Sequence, residues 1–360
     1  MGLYSSPHLV RFTERFRING LEIEPEKAGR LIKELRAVFS PEEPPTYFEA
    51  TTAMALIYFS REKTDIDIME VGMGGRLDAT NIITPLVSGI TNISMEHQSF
   101  LGSSLMAIAA EKAGIIKKGV DVVTAADQTC VINLFESICR ENDVPLRRVG
   151  KDVRYRSTGS GLHYYGINQK LNRLELGLKG QFQARNAALA LAIIEILIQK
   201  GLEVSSLHIR QGLKKASWPG RMQVMSEGPI IVLDGAHNTA AMRALAHCLR
   251  KEFNYQKLIL VIGVMKDKDI SPLLRAIVPS SDYVFYTRPV YPRAAEPEIL
   301  MAKASLLDKP GETVPTLKGA LELARKMAGP EDLILVSGSL FTVGEALAHL
   351  NPDQYRPDDL

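Results

Sequence analysis

The sequence predicts an α/β protein with a parallel, doubly wound sheet, divided into two domains. Three observations point there. Short apolar runs of strand length alternate with longer helical patterns. Glycines and small polar residues follow several of those runs, as they do where ligands sit beyond the carboxyl ends of parallel strands. A chain of 360 residues is also long enough to bury two separate cores.

The elements follow in order. Residues 67–71 (DIMEV), 86–93 (LVSGITNI) and 120–125 read as buried strands, with helical patterns over 49–60 and 105–113. Residues 151–180 change texture and read as a short β meander, with a turn at Gly159-Ser160-Gly161. An Ala-, Leu- and Ile-rich helix covers 183–200. Ser217-Trp218-Pro219-Gly220-Arg221 reads as a linker, because Pro and Gly punctuate it and a new strand pattern follows. From Pro229 the alternation restarts, with strands at 230–233, 257–264, 283–286 and 333–337. The domains are therefore expected at 1–223 and 224–360.

Bulk properties exclude some functions. A net charge of +2 gives no electrostatic case for nucleic acid or an anionic membrane. No apolar run reaches the ~18 residues a spanning helix needs. Three cysteines without a C-x-x-C pair, and no apolar signal core at the front, point to a reducing cytoplasm and away from structural zinc.

Six segments could carry chemistry. In Glu70-Val71-Gly72-Met73-Gly74-Gly75-Arg76-Leu77-Asp78-Ala79-Thr80-Asn81 a carboxylate ends an apolar strand and glycines permit close backbone approach. Such a glutamate can hold Mg²⁺, which prefers oxygen ligands, or it can stand in an ordinary turn. His97 follows the next strand, as an active-site group or a satisfied structural histidine. Lys112 sits near a helix end, either solvated or buried beside a metal. Asp234-Gly235-Ala236-His237-Asn238 follows strand 230–233, as a helix cap or a nucleotide contact. Gly263-Val264-Met265-Lys266-Asp267-Lys268-Asp269 and Gly338-Ser339 repeat that geometry, so three strand-end loops point to one crevice.

Ten segments together carry a resemblance. GLYSSPHLVRFTERFRING, TYFEATTAMALIYF, EVGMGGRLDATN, EHQSFLG, EKAGIIKKG, GQFQARNAALA, WPGRM, DGAHN, GVMKDKD and SGSL stand in family order, and the chain resembles the folylpolyglutamate synthase/dihydrofolate synthase family of Mur ligases. The resemblance implies a Mur-ligase-like central domain of the P-loop ATPase type over 1–223 and a Rossmann-like glutamate ligase domain over 224–360, with the active site in the cleft between them. It implies an ATP-dependent ligase of folate biosynthesis and one-carbon metabolism. Such an enzyme adds L-glutamate to a reduced folate, and to dihydropteroate, through an acyl phosphate.

The resemblance also implies roles. Ser6, Glu70 and His97 would be magnesium ligands. Lys112 would carry a carbamate and, with His97 and His237, serve catalysis. Asn186, Arg221 and Asp234 would grip ATP. Thr46, Tyr47, Phe48, Glu49, Leu77, Asp78 and Ala79 would contact the pteroate. His237 and Lys266 would serve ATP or glutamate, and K⁺ is a further ion the family admits. The expected partners are small molecules alone, with no nucleic acid and no membrane, on a monomer.

The front of the chain departs from the family. Relatives carry a GTNGKGS loop ahead of the segment matching Met1-Gly2-Leu3, and no G-x-x-x-x-G-K-[ST] stands in these residues. The expectation is a cut or misassigned reading frame, truncated at its N-terminus; were the short chain the real protein, apolar surface would be exposed on the first sheet and ligase activity would be negligible from this polypeptide alone. A non-catalytic folate- or nucleotide-binding remnant and a Mur-type peptide ligase are the competing readings.

Overall fold

The computed structural model describes residues 1–96 and 98–358. The chain folds as two compact units. One comprises Met1–Arg154, Tyr165–Lys170 and Ala188–Val204, and the other Tyr155–Tyr164, Leu171–Ala187 and Ser205–Leu360. The meander and the start of the long helix thus group with the second unit, where the sequence places them in a domain ending at 223. Among the described residues no helix is long and apolar enough to cross a membrane.

The first unit begins with β1 (Gly2–Tyr4), β2 (Phe16–Ile18), β3 (Leu21–Glu22), α1 (Pro25–Val38), α2 (Tyr47–Glu62) and β4 (Asp67–Met69). These strands form one sheet in the order β3-β2-β1-β4, with β4 parallel to β1. Tyr4, Phe16, Met54 and Phe59 are buried beneath it. The Tyr4 hydroxyl lies 2.7 Å from Thr51 Oγ1, so burying it leaves no unsatisfied polar group. Helix α2 starts at a reciprocal cap: Glu49 N–H donates to Thr46 Oγ1 (3.2 Å) and Thr46 N–H to the Glu49 carboxylate (2.7 Å).

The unit continues through β5 (Val87–Ile90), α3 (Gln98–Leu101), α4 (Leu105–Ala113), β6 (Asp121–Thr124), α5 (Thr129–Glu141) and β7 (Leu146–Arg148). Strands β5, β6 and β7 form a second, all-parallel sheet. The alternating pattern suggests one sheet; among the described residues no ladder joins β4 to β5. Each strand is only three or four residues long. Ile68 on β4 is 51% exposed and Leu86, just before β5, 57%.

Strands β8 (Arg154–Thr158), β9 (Gly161–Tyr165) and β10 (Lys170–Leu174) make the expected meander, followed by α6 (Gln183–Gln199). The second unit then runs α7 (Ser206–Lys215), β11 (Gln223–Glu227), β12 (Ile230–Leu233), α8 (Thr239–Glu252), β13 (Leu258–Ile262), α9 (Ile270–Ile277), β14 (Tyr283–Tyr286), α10 (Pro297–Ala304), β15 (Gly311–Thr313), α11 (Leu317–Met327), β16 (Leu333–Ser337) and α12 (Leu340–Leu350). Its sheet has the order β11-β12-β16-β13-β14-β15, with only β11 antiparallel. Strands β13 (LILVI) and β16 (LILVS) are buried along their whole length, as continuous apolar runs in a parallel sheet should be. The last strand returns between β12 and β13. That return sets the carboxyl ends of β12, β16 and β13 side by side.

Candidate functional site

In the first unit, β1 and β4 are parallel neighbours, so their carboxyl ends reach the same edge. Glu70 comes directly after β4 and is exposed. Its N–H donates to Tyr4 O at 3.0 Å, and its Oε2 accepts the Ser6 N–H at 2.9 Å. The fold thus brings together Ser6 and Glu70. Hard oxygen donors at a strand end fit Mg²⁺, which keeps water and phosphate oxygens in its other positions. His97, the third expected ligand, lies outside the described residues. Among the described residues no three His, Cys, Asp or Glu side chains gather as a ready metal cluster.

The loop after Glu70 lies against the end of α4. A Cβ at Gly75 would come 2.9 Å from the Glu111 carbonyl oxygen and 3.0 Å from that of Lys112, so only glycine fits there. Arg76 N–H donates to Glu111 O at 2.8 Å, and its guanidinium donates to Glu111 Oε1 at 2.8 and 3.1 Å. Asp78 shapes the rest. Its Oδ2 accepts the N–H groups of Gly72 (3.0 Å) and Met73 (2.9 Å), and its Oδ1 accepts that of Thr80 (3.0 Å). Leu77 is 80% exposed, and Ala79 opens a 3₁₀ turn ending at Ile82. Lys112, near the end of α4, is partly buried. Burial pushes its amine pKa below the ordinary value, while Glu96 and Asp78 pull it partway back.

The four residues at 46–49, among the seven expected to contact pteroate, divide. Thr46 and Glu49 spend their side chains on the α2 cap. Phe48 packs beneath the glycine loop, where a Cβ on Gly72 would come 2.5 Å from its ring. Tyr47 is 57% exposed, with the Arg15 guanidinium 5.2 Å from its ring centroid. Glu14 has a part the motif reading passed over. Its buried carboxylate accepts the N–H groups of Leu9 (2.9 Å), Val10 (3.0 Å) and Arg11 (2.8 Å), fixing the segment that follows Ser6. A lone Glu just inside a short helical turn is its only signal in the sequence.

In the second unit the three expected loops do converge. Ser337 Oγ donates to Asp234 O (2.7 Å), Gly338 N–H to Ala236 O (3.1 Å), Gly263 N–H to Ser337 O (3.2 Å), and Thr342 Oγ1 to Gly263 O (2.8 Å). Asp234 is only 4% exposed. Its Oδ2 accepts Met222 N–H and its Oδ1 accepts Ala236 N–H, both at 2.9 Å. Burial pushes its carboxyl pKa up; these two N–H groups, Arg221 and His237 offset part of that rise. His237 Nδ1 lies 2.8 Å from Gly235 O. A carbonyl oxygen only accepts, so Nδ1 carries the proton in that contact. Asn238 caps α8 by accepting Ala241 N–H at 2.7 Å.

Lys266 is exposed in the loop after β13. Asn186 is exposed on α6 and donates to Gln183 Oε1 at 2.9 Å; among the described residues no hydrogen bond joins it to Arg221 or Asp234. A cavity of about 290 Å³ lined by Leu162, Leu174, Leu178, Lys179 and Glu252 contains none of the expected residues.

Comparison with known proteins gives these loops a context. Residues 20–194 match the Mur ligase middle domain, and residues 220–340 the Mur ligase glutamate ligase domain. A probable bifunctional folylpolyglutamate synthase/dihydropteroate synthase of Haloferax volcanii is 35% identical over 96% of this chain; the chain spans only 42% of that longer protein. The dihydrofolate synthase/folylpolyglutamate synthase of Escherichia coli is also 35% identical, over 96% of this chain and 79% of its own length. The Yersinia pestis bifunctional folylpolyglutamate synthase/dihydrofolate synthase, complexed with AMPPNP and Mn ion, superposes with a TM-score of 0.87 at 32% identity, covering 97% of this chain and 82% of its own. The chain belongs to the folylpolyglutamate synthase/dihydrofolate synthase family of Mur ligases, a family of amide-forming enzymes.

Proposed function

We propose that the protein is an ATP-dependent ligase that adds L-glutamate to a reduced folate and to dihydropteroate. The observation that carries this reading is the meeting of Ser6 and Glu70 at the ends of two adjacent parallel strands, within a chain of this family. The chemistry needs activation, because a carboxylate is a poor electrophile. An oxygen of the folate carboxylate attacks the γ-phosphorus of ATP; the bond to the β-phosphate oxygen breaks and ADP leaves. The glutamate amine then attacks the acyl carbon and loses a proton, and inorganic phosphate leaves with its oxygen.

A divalent ion supplies charge neutralisation for transfer between two anions. Ser6 and Glu70 would hold it together with His97; the Mn ion bound by the Yersinia pestis relative supports a divalent site. Lys112 is suited to carbamylation. Its depressed pKa enlarges the neutral fraction, and only a neutral amine adds CO₂. The carbamate is an oxygen donor in place of a cation. Asn186, Arg221 and Asp234 serve ATP. Asp234 does so through the backbone it fixes, since neighbouring N–H groups already occupy both its oxygens. Tyr47, at the start of α2, and Leu77, on the loop held by Phe48 and Asp78, present the exposed surface expected for pteroate. His237 and Lys266 serve the second half-reaction. The functional domains run 1–223 and 224–360, in keeping with the two matched domain families. The protein acts as a cytoplasmic monomer, with K⁺ as an accessory ion.

The test is incorporation of labelled L-glutamate into tetrahydrofolate and dihydropteroate, with ATP, Mg²⁺ and bicarbonate. Incorporation that needs ATP and fails without bicarbonate supports the reading. No incorporation into either acceptor by well-folded protein overturns it.

A further inference from the structure

The cavity of about 290 Å³ in the second unit has no part in the ligase reading. It lies where the meander, the segment leading into α6 and the end of α8 meet. Hydrogen bonds hold its frame. Gly177 N–H donates to Leu213 O at 2.8 Å, which ties the segment to α7. Gly180 N–H donates to Glu252 Oε1 at 2.9 Å, which ties it to α8. The cavity is therefore built before any ligand arrives.

Its lining combines an apolar floor with two opposite charges. In the run Leu174-Glu175-Leu176-Gly177-Leu178 the alternate leucines all line the cavity, together with Leu162 of β9. Leu162 and Leu174 are buried in the core, whereas Leu176 and Leu178 are only half-buried. Glu175, between them, is spent on an ion pair with Lys214 at 2.7 Å. Lys179 and Glu252 also line the cavity. The Lys179 ammonium lies 5.7 Å from the ring centroid of Phe253, the residue after Glu252. Among the described residues neither Lys179 nor Glu252 forms an ion pair, with each other or with a third group. An ammonium and a carboxylate thus face one apolar cavity and leave each other unneutralised.

We propose that this cavity is a binding site for an apolar α-amino acid in its zwitterionic form. Glu252 takes the α-ammonium, since its carboxylate keeps acceptor capacity after accepting Gly180 N–H. Lys179 takes the α-carboxylate, and an aliphatic side chain covers Leu176 and Leu178. The volume stands at the small end of ligand sites, about 300–1,000 Å³, so it fits a leucine-sized molecule and neither a nucleotide nor a folate. A side-chain carboxylate would be stripped of water against the leucines without a partner, so L-glutamate is rejected. The site stands independently of the ligase reading. A bound ligand bridges the end of α8 and the segment entering α6, and it stabilises the fold by mass action.

Calorimetric titration of the full chain with L-leucine tests it, beside isocaproate, which lacks the ammonium, and isoamylamine, which lacks the carboxylate. Leucine is expected to bind with a Kd of about a millimolar or lower, and each analogue about tenfold more weakly. Lys179→Met and Glu252→Gln should each weaken leucine binding about tenfold. Glu252→Gln retains an acceptor for Gly180 N–H, so the fold is kept. Leu178→Trp, which fills the cavity, should abolish binding; if that variant does not fold, the two charge variants still decide. L-Glutamate should not compete with leucine. No binding of leucine, isoleucine, valine or methionine to well-folded protein overturns the proposal. So does leucine binding that both charge variants leave unchanged, isocaproate binding as tightly as leucine, or displacement of leucine by L-glutamate.

Discussion

The loop after β4 and the loop after β12 are built by one device and end with opposite uses of a carboxylate. In each, an aspartate gathers backbone N–H groups: three at Asp78 and two at Asp234. The first loop is open, and its aspartate holds a shape that leaves a separate carboxylate, Glu70, at the exposed strand end. The second is closed, and Asp234 at 4% exposure is itself part of the framework. A strand-end carboxylate is thus not a ligand by residue type. The N–H groups that converge on it decide.

Substitutions can break or sharpen that contrast. The largest expected effect is on catalysis. Glu70→Ala should lower ATP-dependent glutamate transfer about a hundred- to a thousandfold, on the scale of losing one transition-state electrostatic group, with an unchanged thermal midpoint. A large fall in midpoint would make Glu70 structural like Asp234, and the contrast would collapse. Next, Asp234→Ala orphans two buried N–H groups and should cost about 2–4 kcal/mol in denaturant unfolding. Lost activity at native stability would contradict its framework role. Asp78→Ala should cost less, about 1–2 kcal/mol, because water can reach part of its loop.

The smallest effect is at Lys112. Its folded pKa is depressed, so between that value and the ordinary 10.5 the unfolded chain binds more protons than the native one. Stability therefore rises with pH across that window, and the charged amine costs stability below it. Lys112→Met should raise the thermal midpoint slightly and remove that pH slope. An unchanged slope would contradict the burial argument.

Parts of this were legible in the sequence. Strands β13 and β16 are continuous apolar runs, and their burial follows from that pattern alone. The convergence of DGAHN, GVMKDKD and SGSL could be read as three loops at strand ends. Strand β1, three residues long, carries no usable period, and it supplies the partner that puts Ser6 beside Glu70. The division of the first unit into two sheets was hidden for the same reason, since a period names a strand but not its neighbour. Asp78 and Asp234 read as ligands because their N–H partners are set by loop geometry.

The measurement that tests the central claim most directly is ATP-dependent transfer of labelled L-glutamate to tetrahydrofolate by the native protein and by Glu70→Ala, with melting curves of both. The account predicts transfer by the native protein, its near-complete loss in the variant, and superimposable melts. Transfer by Glu70→Ala at the native rate, or no transfer by well-folded native protein, would contradict it.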